Sequence, residues 1–303
     1  MSGIAVDAKK IVYVTDVAAT VGIAAVGAVM KVDQTGTATL FASLPGTALG
    51  QTPVTWLTPA GLALDASGTF YLASLDDTIR TISASGTLAL WVGTSNTAGS
   101  QNGVGALATF NNPQGVAVDA SGNVYVADAA NNKIRLIAPG GVVTDFAGTG
   151  ASGSSDGPAN SATFNAPAGI AVDTAGNVYV CDTGNNEIRL ITKSGTVQTV
   201  AGNGSAGFLD GTGSGARFDA PGGIALDAHG NLYVADTVNL AIRKVSSSGV
   251  VTTLAGSASR SGSTDGTGDV ASFSLPVAVA VDSSGAVYVA DEGNMSVRKL
   301  VYH

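Results

Sequence analysis

The stretch that decides the fold is Pro113-Gln114-Gly115-Val116-Ala117-Val118-Asp119, followed by Gly122-Asn123-Val124-Tyr125-Val126-Ala127-Asp128 and then Ile134-Arg135. It recurs along the chain. Asp119 is matched by Asp7, Asp65, Asp173, Asp227 and Asp282, at successive spacings of 58, 54, 54, 54 and 55 residues. A fixed period of this kind outranks any local secondary-structure reading, because each copy is one unit that buries its apolar faces only against its neighbours. Six copies fill the chain, roughly as residues 1–58, 59–112, 113–166, 167–220, 221–275 and 276–303.

Each copy reads as four short strands. In the fourth copy these are residues 169–172, 178–181, 188–191 and 197–200, separated by Gly, Asn, Asp and Ser. Apolar runs of four to six residues between such turn formers are strand and hairpin signals, and near-continuous apolar character implies burial on both faces. The composition agrees, with 45% apolar residues, 12% charged residues and 41 glycines among 303 residues, a balance that excludes a disordered chain and disfavours helices. Up-and-down four-stranded sheets in tandem are propeller blades. The expected fold class is therefore all-β, a six-bladed β-propeller of four-stranded antiparallel blades. The last copy stops after its third strand, so 23 strands are expected, and Met1-Ser2 is too short to supply the missing outer one. Either the domain is cut from a longer precursor or blade six has an open edge. That edge, which begins at Val297 and ends at Val301, could recruit a strand from another chain, although Arg298 and Lys299 on it discourage pairing.

These residues resemble the NHL repeat, whose strands read P-x-G-I-A-V-D, G-N-V-Y-V-A-D and N-x-I-R. The copies at Pro113, Pro167 and Pro221 fit closely, and those at Gly3, Pro59 and Pro276 fit with gaps. The resemblance implies a six-bladed propeller of bacterial type. It does not bring an activity with it, since one fold hosts many functions. Relatives that act as amidating lyases, antibiotic lyases or lactonases use His, Glu, Asn or Tyr clusters around a metal. Some animal relatives bind RNA through a basic face.

The net charge of −8 disfavours nucleic acid and anionic membranes as partners, and 14 basic residues spread over six blades make no basic face. No uncharged apolar stretch is long enough to span a bilayer as a helix. A lone Cys181 excludes an intramolecular disulfide, and it stands where other copies have alanine, as a small core residue.

Most conspicuous side chains fall on repeat positions. Tyr13, Tyr71, Tyr125, Tyr179, Tyr233 and Tyr288 share one; Trp56, Phe110, Phe164, Phe218 and Phe273 each precede the repeat proline by three residues, as wedges between blades. Asp128, Asp182, Asp236 and Asp291, with Asp16, share the end of the second strand, and Asp156, Asp210 and Asp265 sit before a glycine in the loops between blades. Those two loop sets are expected at one mouth of the channel. A ring of carboxylates could hold calcium there and support a metal-dependent lyase or hydrolase. The plainer expectation is turn chemistry and pairing with Arg80, Arg135, Arg189, Arg243 and Arg298.

Few candidates remain for binding. Gln114 is the one polar group among the positions that enter the channel, Ala60, Gln114, Ala168, Gly222 and Val277. Phe208 lies in a Gly-rich loop, either exposed or tucked under it. Asp76-Asp77 read as a solvated turn. The first copy carries an uncharged insertion over residues 17–29, including Val21, Ile23 and Val26, that either forms an exposed patch or lengthens a hairpin. Next to it the loop 44–56, with Gln51, also departs from the repeat. The expected function is thus a non-enzymatic scaffold propeller, secreted or in the bacterial envelope, without a cofactor. It would bind a protein or glycan through its loop face.

Overall fold

The computed structural model describes residues 1–21, 24–44 and 58–301, with only the backbone described at 17–21 and 24–26. Six sheets follow one another along the chain, each an up-and-down antiparallel meander. Blade one comprises Ile4–Val6, Val12–Val21, Ala24–Val32 and Ala38–Leu44; blade two comprises Pro59–Leu64, Phe70–Ser74, Thr78–Ile82 and Leu88–Gly93. Blade three runs through Pro113–Val118, Val124–Asp128, Lys133–Ile137 and Val142–Ala147, and blade four through Ile170–Val172, Val178–Asp182, Glu187–Ile191 and Thr196–Ala201. Blade five has Pro221–Leu226, Leu232–Asp236, Ala241–Val245 and Val250–Gly256, and blade six has three strands, Pro276–Val281, Val287–Asp291 and Ser296–Leu300. All 23 expected strands are present.

Three more strands are present that the repeat pattern did not reveal. Gly103–Val104, Gly157–Pro158 and Gly211–Thr212 each add to the outer strand of blades three, four and five. Each belongs to the loop that arrives from the preceding blade. The chain therefore crosses the outer rim of the next blade before turning in to its first strand, tying consecutive blades together.

The core lies between blades, one apolar cluster per seam. Between blades four and five, for example, Cys181, Ile188 and Ala201 meet Phe218, Ile224 and Val234. The wedges Phe110, Phe164, Phe218 and Phe273 are essentially buried, and the repeat tyrosines pack beside them. Fully burying such side chains contributes roughly 1.5–3 kcal/mol each. Each first-strand aspartate closes the turn to the second strand. Asp119 accepts N–H bonds from Ser121 (2.8 Å) and Asn123 (2.9 Å), and Tyr125 reaches its other oxygen.

The first strands approach one another backbone to backbone around the axis. A Cβ on Gly169 would lie 2.7 Å from the Gly222 carbonyl oxygen and 2.9 Å from the Gly223 Cα, so the repeat glycine is required by space. In blade one the inserted segment lengthens the second and third strands into a protruding hairpin, paired as far as Val21 with Ala24. No helix among the described residues is long and apolar enough to cross a membrane.

Candidate functional site

The second strand ends in the repeat aspartate because its carboxylate organises the turn that follows. In blade four, one Asp182 oxygen accepts the Asn165 N–H (2.7 Å), and the other accepts the Asn185 amide (2.8 Å) and Arg189 Nη1 (2.7 Å). Arg189 continues to Asp156 at 2.7 Å and to the carbonyls of Thr163 and Ser155, with its guanidinium 5.3 Å from the Phe164 ring. Blades three and five repeat this arrangement through Asp128–Arg135 (2.8 Å) and Asp236–Arg243 (2.6 Å). The three arginines and the four aspartates Asp128, Asp182, Asp236 and Asp291 are wholly enclosed. Burial pushes these four carboxyls up, against the pull of the asparagine, the backbone N–H and the arginine. A cation at any of them would have to displace an arginine.

Asp156 and Asp210 do not face the channel. They stand at the outer rim, where each carboxylate accepts from the N–H and hydroxyl of an outer-strand threonine, Thr199 or Thr253. The expected mouth position for this set is corrected accordingly. The rim crossing of the loop places them there, and the glycine after each starts the short added strand.

Asp76 and Asp77 also depart from expectation, because they are buried rather than solvated. Blade two has Ser74 at the repeat aspartate position, and Asp76 replaces it, taking Arg80 Nη2 at 2.8 Å. Asp77 accepts the Asn112 N–H at 2.9 Å and ties blade two to the loop entering blade three. The displaced partner was legible as an arginine without its aspartate.

The channel mouth is a shallow space of about 340 Å³ where the first strands begin. Glycine and alanine backbone makes most of its floor. Its polar groups are Ser2, Gln114, Thr183, Thr237 and Glu292. Thr183 and Thr237 donate to the carbonyls of Pro221 and Pro276 at 2.8 Å, so their hydroxyls join blades. Ser2 donates to the Pro59 carbonyl. That leaves Gln114, bonded to the Asn112 side chain at 2.9 Å, and Glu292, 3.9 Å from the N-terminal amine. They belong to blades three and six, on opposite sides of a six-membered ring.

The other expected residues are dispersed. Val21 and Val26 lie on the blade-one hairpin, while Ile23 and Gln51 lie outside the described residues. Phe208 stays 38% exposed and lies on Arg243, 4.8 Å from its guanidinium, opposite Phe218 at 5.2 Å. It caps a wall arginine. His229 is exposed in a turn, and burial pushes the enclosed Cys181 thiol up, which suits a core residue. Among the described residues no three metal-ligating side chains cluster.

Sequence reasoning also missed a groove of about 850 Å³ at the seam of blades six and one. Val12, Val14, Met30, Val32 and Val297 give it an apolar wall, and the charged Lys10, Asp16, Asp33, Glu292 and Lys299 stand around it. The signal was available, since every other seam is filled partly by an outer strand that the sixth copy lacks.

Six radially packed antiparallel sheets around a backbone-lined channel define a β-propeller. The NHL repeat model matches residues 110–135, 164–189 and 273–300, and the chain is an NHL-repeat propeller. No curated protein matches it. Among solved structures it is similar to a protein of unknown function from Bacteroides thetaiotaomicron, at 18% identity and TM-score 0.73, over 99% of this chain and 68% of that one. It is also similar to an auxiliary nutrient binding protein from Bacteroides ovatus, at 19% identity and TM-score 0.66, over 96% of this chain and 66% of that one. A catalytically inactive virginiamycin B lyase from Staphylococcus aureus with quinupristin aligns at 14% identity and TM-score 0.60, over 100% and 94% of the two chains. Identities this low establish the shared fold alone.

Proposed function

We propose that the chain is a non-enzymatic recognition propeller that binds a glycan or protein partner through its loop face, around the channel mouth. One observation carries this reading: the repeated charges are consumed in the blade walls, and the mouth keeps a mostly uncharged, hydrogen-bonding floor with Gln114 and Glu292 on opposite blades around it. An acid–base pair needs two groups within reach of one bond, and these two sit on opposite blades. Low charge with abundant Ser, Thr and Gly supports a secreted or envelope setting. The binding role named for the Bacteroides ovatus neighbour is in keeping with it.

The test is a screen of neutral oligosaccharides and peptides, followed by calorimetric titration of the best ligand. Gln114→Ala and Glu292→Ala are each expected to weaken binding about fivefold, the effect of one lost hydrogen bond. Equal affinity in both variants would place the site elsewhere. A stoichiometric calcium or zinc ion in the purified protein, with turnover of a lactone or glycan, would instead favour the metal-dependent lyase or hydrolase reading.

A further inference from the structure

On the mouth side the repeat is broken where blade five meets blade six. From blade two to blade six the residue just before the third strand is left-handed: Asp77, Asn132, Asn186, Leu240 (φ 53°) and Met295. The residue before the repeat proline is left-handed as well, in Asn112, Ala166, Ala220 and Leu275 (φ 66°). Aspartate and asparagine tolerate this conformation, whereas a large apolar side chain is crowded in it. Asp77, Asn132 and Asn186 also accept the N–H of Asn112, Ala166 and Ala220, a bond between blades that the Leu240 side chain cannot make to Leu275. Blade five forgoes both advantages, and what stands there instead is apolar surface. Leu275 is 42% exposed where two blades have alanine, and Val238 is 52% exposed where its equivalents are Ala130, Gly184 and Gly293. This surface adjoins the channel cavity. Thr237, which lines the cavity, donates to the Pro276 carbonyl at 2.8 Å, and the carbonyl of the preceding Leu275 accepts the Glu292 N–H at 3.0 Å. Glu292 is the one charged side chain lining the cavity. Its carboxylate takes no hydrogen bond among the described residues, and the Met1 amine stands 3.9 Å from it.

We propose that the mouth takes the free amino-terminal end of a peptide whose first residue is large and aliphatic. The proposal rests on the mouth being the binding site and says which of the two partners named for it enters. The terminal ammonium meets the Glu292 carboxylate, and the first side chain lies on Val238 and Leu275. The peptide backbone that follows faces the hydrogen-bonding floor. A cavity of about 340 Å³ suits a chain end rather than a folded surface. A glycan fits this sector less well. Sugar rings lay their apolar faces on aromatic side chains, and no aromatic ring lines the cavity. A neutral sugar would also leave the charge of Glu292 unmatched.

The probes are three synthetic peptide amides, Leu-Ser-Gly-Ser, its N-acetylated form and Ala-Ser-Gly-Ser, titrated by calorimetry. The first is expected to bind one to one, the acetylated form about fivefold more weakly and the alanine form about tenfold more weakly. Glu292→Gln is expected to bind the free and acetylated peptides alike. The double variant Leu240→Asn with Leu275→Ala returns both positions to the repeat. It is expected to raise the thermal midpoint by about 1–2 °C, through the restored bond between blades, and to bind the leucine and alanine peptides alike. The proposal is overturned if the three peptides bind equally or not at all, or if the double variant keeps the preference for leucine. It is equally overturned if the double variant melts below the unsubstituted protein, since the leucines would then serve packing. A neutral oligosaccharide that binds and is weakened by Gln114→Ala would in that event leave the recognition reading standing; if neither class of ligand binds, both fall.

Discussion

Arg189→Met in blade four, compared with Arg298→Met in blade six, is the sharpest test of the idea that the repeated charges build walls. The arginine is the same and so is its repeat position; what differs is the outer strand. Arg189 is fully enclosed, and its loss strands the equally enclosed Asp182 with only the Asn165 N–H and the Asn185 amide. Breaking one side of a buried pair costs about 3–5 kcal/mol. That is a large share of the ~5–15 kcal/mol by which folded domains are stable. Arg298 is 14% exposed, its contact with Asp291 is long at 3.5 Å, and its second partner Asp265 is in water. Exposed pairs contribute about 0–1 kcal/mol, and water reaches Asp291 once the arginine is gone, so Arg298→Met is expected to cost about 1–2 kcal/mol. In thermal melts followed by circular dichroism this is a drop of about 6 °C for Arg189→Met against about 2 °C for Arg298→Met. Adding Asp182→Leu to Arg189→Met removes the orphaned charge and is expected to restore at least half the loss. Equal losses in the two blades, or a loss under about 1 kcal/mol for Arg189→Met with its sheet spectrum intact, would refute the reasoning.

Two further outcomes test the packing. Burial first, and then the charges of Asp7, Asp65, Asp119 and Asp173, push the phenols of Tyr13, Tyr71, Tyr125 and Tyr179 up. Above a pH of about 10 the unfolded chain therefore binds fewer protons than the folded one, and stability falls as pH rises through that range. The tyrosinate absorbance of these four phenols should appear together with unfolding, and their titration in a still-folded protein would count against it. Gly169→Ala would force the first strands of blades four and five apart, because the new Cβ meets backbone 2.7 Å away. A loss of about 1–3 kcal/mol is expected in urea titration, and an unchanged midpoint would show that the strands are looser than their spacing implies.

The architecture was legible because a propeller repeats its constraints. Asp119 and its five equivalents each close the same turn, and the glycines at 115, 169 and 223 each meet the neighbouring first strand, so one reading served every copy. The pairing of Asp with Arg was readable for the same reason: a buried guanidinium needs an anion, and both residues recur in step. Compensation within a single copy was harder to see. Asp76 stands two residues after the position its repeat would assign, and only the contact with Arg80 reveals that it has taken over the role of Ser74's equivalents. The added strands at Gly103–Val104 and its two counterparts were hidden because two residues carry no periodicity, and Asp-Gly is a common turn signal wherever it lies.

A ring of equivalent sheets distributes its chemistry evenly, and that limits where a specific partner can be recognised. A carboxylate that serves the wall in each of four blades gives no blade an advantage over the next, whereas a position that breaks the pattern does. Gln114 stands where the other channel positions are small or apolar, Met295 stands 85% exposed where two blades carry Asn132 and Asn186, and Asp265 is 94% exposed where its counterparts are about half so. In those two blades the asparagine accepts the N–H of the loop residue entering the next blade, Ala166 or Ala220. Methionine cannot provide that carbonyl. Leu240 holds the same left-handed position in blade five and also lacks the carbonyl, while Met295 falls beside the seam of blades six and one. Blades one and six are adjacent across that seam, while other departures, Asp76 in blade two and Gln114 in blade three, lie elsewhere on the ring. A partner gripping this protein asymmetrically would find its specificity at such departures, while the repeated wall contacts hold the frame.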